Sequence, residues 1–363
     1  MNILDYVKSE QAPFAEKPLC AVDALVLSEA CMIDFPEVAL GSRPSSQPFR
    51  AFDPTEERYP GLQPDNSRAL LAALAESPRF ASVRVGGFES VFDEESGTQF
   101  AGMAFEGCGE IAFVGFRGTD NSIAGWREDF LMACTWPIPS QSLAARYLEH
   151  AAASLPGPLV IGGHSKGGNL ATYATAKAPD SVRERIIRVY SFDGPGFKPR
   201  AFSEEDRARL GSRVEKYVPA DSIIGLILES EPPHRIVSTT ARGLEAHDAF
   251  SWRIDPKTAG VPSRAPEFAY EAQLTQAARF TDRVLDAWIA RYTDEELALI
   301  VDAIFAMIEA TGAENFTELF ASGQTMVSNL LEAARNTPSD ARRVLLSAAK
   351  DLSETALRQI TEP

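Results

Sequence analysis

The sequence predicts an α/β fold with a mixed, mostly parallel sheet and a helical C-terminal extension, and three observations carry that reading. Between Val83 and Phe116, β-branched and aromatic runs are separated by the turn-forming stretches "DEESG" (93–97) and "EGCGE" (106–110), which read as three strands with hairpin connections. After Phe116 the period changes: helices near 124–135 and 140–154, a strand at 159–163, a helix from about 167, then strands at 186–192, 213–218 and 235–239. Strands that alternate with helices form parallel pairs covered on both faces. Beyond "PKTAGVPSRAP" (256–266) the pattern is helical throughout, which divides the chain into a unit over 1–255 and a helical one over 267–363.

The remaining elements follow from local signals. Residues 20–35 read as an amphipathic helix, and 41–65, with five prolines, as a surface connection. Thr293-Asp294-Glu295-Glu296 is a capping box, Gly312 a helix stop, and Thr337-Pro338-Ser339-Asp340 a second start with proline at the first helical position.

Composition narrows the function classes. With 363 residues, 45% of them hydrophobic, the chain can bury a large core, which excludes a disordered protein. The 51 acidic against 35 basic residues give a net charge of -16, which repels nucleic acid and anionic lipid. Cys20, Cys31, Cys108 and Cys134 lack paired spacing and read as reduced, packed residues, and neither His nor Cys clusters at metal-ligand spacing. No cofactor is expected. No segment reads as a signal peptide or membrane span, so the expected location is the cytoplasm.

The stretch Gly163-His164-Ser165-Lys166-Gly167 fits G-x-S-x-G, with a strand before it and a helix after it. The glycines let a serine sit on a sharp turn where larger neighbours would collide. A phosphate-cradling turn is the bland alternative, but the spacing matches neither G-x-G-x-x-G nor a Walker A loop. A serine needs a base, and the chain has four histidines. His150 lies in a helix, His164 abuts Ser165 and should point away, and His234 precedes its strand. His247 follows the C-terminal end of that strand, where parallel sheets gather ligands, and is the expected base. The expected acid is Asp221, after the strand at 213–218, with Asp193 of "FDGPGF" as its rival and Asp248 as a loop residue. Two oxyanion donors are expected: the N–H of Lys166, and Thr119 through its N–H and hydroxyl.

Together Phe116-Arg117-Gly118-Thr119, "WREDF" (126–130), Gly163 to Gly167, "VPAD" ending at Asp221, and His247 resemble class 3 (fungal-type) lipases in order and spacing. More closely, "GGHSKGGNLA", "FDGPGF", "DSIIG" and "HDAFSW" resemble an uncharacterised bacterial family of lipase-like α/β-hydrolases with a helical C-terminal extension. The resemblance implies an α/β-hydrolase fold, a triad of Ser165, Asp221 and His247, an oxyanion hole at Thr119 and Lys166, and a small-molecule or lipid-like ester substrate. It also implies a lid over Asn121 to Phe130, although Ile123, Trp126 and Phe130 at helical spacing equally fit a helix anchored to the core. Lys166 departs from the apolar residue usual in those lipases, and a cation beside an acyl pocket points to a polar or anionic ester. The competing expectations are an inactive hydrolase fold used as an interaction module, and an acyltransferase or amidase using the same triad.

Overall fold

A computed structural model describes residues 1–35, 46–228, 233–261, 264–320 and 338–361. In chain order these form α1 (Ile3–Ser9), α2 (Ala21–Ala30), β1 (Gln47–Pro48), α3 (Pro64–Glu76), β2 (Arg84–Asp93), β3 (Thr98–Cys108) and β4 (Ile111–Phe116). Then come α4 (Ile123–Leu131), α5 (Pro139–Ser154), β5 (Leu159–His164), α6 (Lys166–Lys177), α7 (Asp180–Arg183), β6 (Ile186–Phe192), α8 (Glu204–Leu210), β7 (Val214–Pro219) and β8 (His234–Val237). Helices α9 (Gln276–Ile289), α10 (Asp294–Glu309), α11 (Phe316–Phe320) and α12 (Ser339–Thr361) follow among the described residues.

The eight strands form one sheet in the order β1 to β8, antiparallel from β1 through β4 and parallel from β4 through β8. Short hairpin turns join β2 to β3 and β3 to β4, the β1–β2 connection carries α3, and each parallel step up to β7 spends its connection on a helix. Alternate side chains enter opposite faces: Phe113, Val160 and Tyr190 join one apolar core, and Val114, Ile161 and Val189 the other. The first core is closed by α1, α2 and α3, the second by α5 and α6. All six residues of β5 are buried, as a central parallel strand requires.

Three local expectations change in the fold. The helix at 21–30 is buried around almost its whole circumference, because it lies between the sheet and the helices α1 and α3, so its polar Asp23 and Glu29 face protein rather than water. Asp23 is held there by Arg79 at 2.6 Å and Tyr6 at 2.7 Å. The connection at 41–65 is not wholly surface: 41–45 lie outside the described residues, but β1 pairs with β2, and Phe49 is fully buried. Beyond the linker, which includes the undescribed 262 and 263, the chain is also not purely helical, since Phe268 and Tyr270 bridge to Ile254 and Val237.

In the C-terminal part the capping box forms, with Glu296 N–H donating to Thr293 Oγ1 at 3.2 Å and Thr293 N–H to Glu296 Oε2 at 2.9 Å. Gly312 adopts φ +73 at its turn. Thr337 lies outside the described residues, and α12 begins just after Pro338. Among the described residues no helix is long and apolar enough to cross a membrane.

Candidate functional site

Ser165 sits between β5 and α6 at φ 56, ψ -132, a strained conformation for a residue with a side chain. Close packing around it leaves no choice of neighbours. A Cβ on Gly163 would lie 2.3 Å from the Gly167 carbonyl carbon, and one on Gly167 would lie 2.1 Å from the Phe116 carbonyl oxygen. Both obstacles are backbone and cannot swing aside. Gly167→Ala is therefore expected to destabilise the fold by at least the upper end of the usual ~1–3 kcal/mol for overpacking, read as a lowered urea midpoint.

The histidine partner is where the structure departs from the sequence expectation. His247 Nδ1 lies 2.6 Å from Asp193 Oδ2, with the carboxylate fully buried, so the ring nitrogen donates to Asp193 and Nε2 is left for another partner. Asp193 follows directly on β6 at φ 47, its second oxygen accepts the Ser222 hydroxyl at 2.6 Å, and a Cβ on Gly225 would fall 2.1 Å from that oxygen. Asp221, the expected acid, is turned elsewhere: it accepts the Gly243 N–H at 2.6 Å and the Thr275 hydroxyl. It thereby ties down the turn Gly243–His247 and the start of α9, holding the loop that carries the histidine without touching the ring.

The loop after β4 approaches the serine from the other side. Arg117 anchors it, donating to the carbonyls of Cys31 at 2.6 Å and Ile33 at 2.9 Å past the end of α2 and pairing with Asp34 at 2.7 Å. Gly118 packs so tightly that a Cβ there would lie 3.2 Å from the Ser165 Cβ. Thr119 comes next and borders the cavity, but its hydroxyl is donated to Asp129. Lys166 is the first residue of α6, where a backbone N–H has no partner within the helix.

The Lys166 side chain does not border the cavity. Its ammonium is fully buried, donating to the Gln99 carbonyl at 2.9 Å and Glu128 at 3.1 Å, with Asp129 at 3.7 Å. The expectation of a cation beside an acyl pocket is thus corrected: the charge is neutralised inside the protein, where it binds α4 to the serine turn. Burial, against the opposing pull of Lys166 and the Thr119 hydroxyl, raises the Asp129 carboxyl to about 6.

Ile123, Trp126 and Phe130 all lie on α4 and pack toward the C-terminal helices. Trp126 stacks on Phe316 with ring centroids 4.3 Å apart, Phe130 meets Phe305 edge-on at 5.6 Å, and Arg127 pairs with Asp302 at 2.6 Å. Trp126 also borders the cavity above Ser165, so the helix both walls the site and is anchored at its back.

That cavity, of about 180 Å³, is shared by Ser165, His247, Thr119 and Gly118, with Met32 and Phe250 among its apolar walls. His164 also borders it, with both ring nitrogens on partners other than Ser165. Its ring stacks on that of His247 with centroids 4.6 Å apart, its Nε2 lies 2.9 Å from the His247 carbonyl, and its Nδ1 lies 3.0 Å from Glu29. A carbonyl on one nitrogen and a carboxylate on the other favour the doubly protonated ring. Burial opposes that charge, but Glu29 and, more weakly, Asp193 and the His247 carbonyl outweigh it and raise the His164 pKa. A histidine raised in the fold stabilises it fully below the ordinary value near 6.5 and loses that contribution as pH climbs through the raised value. Glu29→Gln should accordingly cost about 1.5–3 kcal/mol below about pH 6.5, and urea titrations should show the gap from wild type closing at alkaline pH.

A serine on a strained strand-to-helix turn above a mostly parallel sheet covered by helices on both faces makes this an α/β-hydrolase fold. The chain belongs to the Mbeg1-like family, whose model matches residues 74–306. No curated protein matches the sequence. Among solved structures it is similar to Rhizomucor miehei lipase in its propeptide complex, at 14% identity over 44% of this chain and TM-score 0.29, spanning 58% of that lipase. It is also similar to a triacylglycerol lipase described as having a serine protease triad at its catalytic centre, at 17% identity over 47% of this chain and 70% of that one, TM-score 0.31. The M37 lipase is similar at 16% identity over 58% of this chain and 70% of that one, TM-score 0.33.

Proposed function

We propose that the protein is a serine hydrolase that cleaves carboxylic esters through Ser165, His247 and Asp193. His247 Nε2 takes the Ser165 proton as Oγ attacks the ester carbonyl, and Asp193 fixes the ring tautomer and stabilises the imidazolium. The oxyanion accepts the N–H groups of Lys166 and Thr119. Collapse expels the alcohol, which takes its proton from His247. Water, deprotonated by the same nitrogen, then releases the acid and restores Ser165.

The observation that carries this reading is the convergence of Ser165 and a carboxylate-held histidine on one cavity, with the 2.6 Å contact at Nδ1 leaving Nε2 as the working nitrogen. Asp221 takes a supporting role in this scheme, by anchoring the turn that ends at His247. The α/β-hydrolase fold is compatible with the activity but does not establish it. A neutral fluorophosphonate probe tests it: the folded protein should become covalently labelled on the peptide containing Ser165, and Ser165→Ala should take up none. A folded wild-type protein that stays unlabelled would favour the interaction-module reading.

A further inference from the structure

Resting on the hydrolase reading above, we infer that the site takes small esters carrying a positive charge, and that Glu245 and Asp248 are the residues that select them. Three carboxylates, Glu29, Glu245 and Asp248, border the cavity over Ser165, and among the described residues no lysine or arginine does. Glu29 is met locally by His164 at 3.0 Å, and the Asp193 carboxylate lies against the His247 ring at 2.6 Å rather than on the cavity wall. Asp248 is different. Its oxygens accept from neutral donors, the Phe250 N–H at 3.0 Å and Gln63 Nε2 at 3.1 Å, and His164 and His247 act on it only through space, so lone pairs and charge are left for a ligand to meet. Glu245 stands exposed on the turn leading to His247. The cation nearest to Ser165 in sequence, Lys166, is turned inward onto Glu128 and contributes nothing to the cavity.

Size restricts the ligand further. A cavity of roughly 150 Å³ holds a benzene-sized group, so about 180 Å³ admits an acyl or alcohol portion of a few carbons. The walls between the carboxylates are apolar at Met32, Trp126 and Phe250, which suits a short hydrocarbon stem with a charged end at the rim. Charge at contact range in a partly dry cleft changes binding on the order of tenfold, and the chain's net charge of -16 works in the same direction at longer range.

The test compares 4-nitrophenyl esters of three acids of similar chain length, 4-trimethylammoniobutanoate, its uncharged isostere 5,5-dimethylhexanoate, and hemiglutarate. Burial pushes the Asp248 carboxyl up, so pH 8 is chosen to keep it ionised. The expected order of kcat/KM is cationic over neutral over anionic, by about tenfold per step, shrinking in 0.5 M NaCl as screening grows. Glu245→Gln together with Asp248→Asn should collapse most of that spread, and Glu245→Gln alone, at an exposed position that does not endanger folding, should narrow it partway. Equal rates, an anionic preference, or a spread that neither variant moves would overturn the inference. The neutral fluorophosphonate, run in parallel, separates the two levels: labelling without charge preference removes this inference alone, and absence of labelling removes the hydrolase reading with it.

Discussion

Asp193→Asn is expected to lower kcat on the order of 10⁴-fold with little change in KM, the loss found when the acid of a serine–histidine–acid triad becomes an amide. The physical reason is proton placement. An asparagine that keeps its bond from the Ser222 hydroxyl turns an N–H₂ toward His247, which forces the proton from Nδ1 to Nε2 and leaves no lone pair to receive the serine proton. Asp221→Asn should act far more mildly, because its amide oxygen can still accept from Gly243, and no proton of the histidine ring depends on it. Parallel kcat measurements with one ester decide between the two aspartates. A larger loss at Asp221 than at Asp193 would show that the acid was wrongly assigned.

Lys166→Met carries the largest expected stability effect. Glu128 is fully buried; besides Lys166 it accepts the N–H groups of Gln99 at 3.2 Å and Ser140 at 2.9 Å, but the ammonium is its positive partner at 3.1 Å. Removing one member of a buried ion pair leaves an uncompensated charge and costs about 3–5 kcal/mol, visible as a drop in the urea midpoint. The double variant Lys166→Met with Glu128→Gln should recover part of that loss, since the charge left behind is then gone. A fall of well under 1 kcal/mol in the single variant would mean that Glu128 has found another way to be neutral. Because the ammonium faces away from the cavity, the relative rates across acyl chain lengths should follow those of the wild type.

How much of this was legible in the sequence varies with the range of the interactions involved. The turn at 163–167 was readable because the constraint is local: glycine, strand and helix are adjacent in the chain, and backbone contacts between Gly163 and Gly167 admit no side chain. The strands at 186–192 and 213–218 were readable as short strand-like runs between helical segments, and the cap at Thr293 from its four residues. The burial of α2 was not readable, since a helix covered by both a sheet and other helices loses its polar face as a signal. The aspartate that meets His247 was not readable, for a related reason. Asp193 and Asp221 both follow strands at the same edge of the sheet, and the choice between them depends on which carboxylate the turn Gly243–His247 brings the ring against. The one local sign in favour of Asp193 was its glycine- and proline-rich turn, which corresponds to a positive φ and to a carboxylate fixed by Ser222.

Residue order alone was enough for the class of fold and for the strand-turn-helix geometry at Ser165, because both depend on short-range periodicity and backbone sterics, and it narrowed the candidate base to a choice among four histidines. Only the folded chain decided which aspartate holds that histidine, where the charge of Lys166 goes, and that His164 and Glu29 stand beside the cavity. Those outcomes depend on side-chain directions set by packing between segments up to well over a hundred residues apart in the chain, as Glu29 and His164 are.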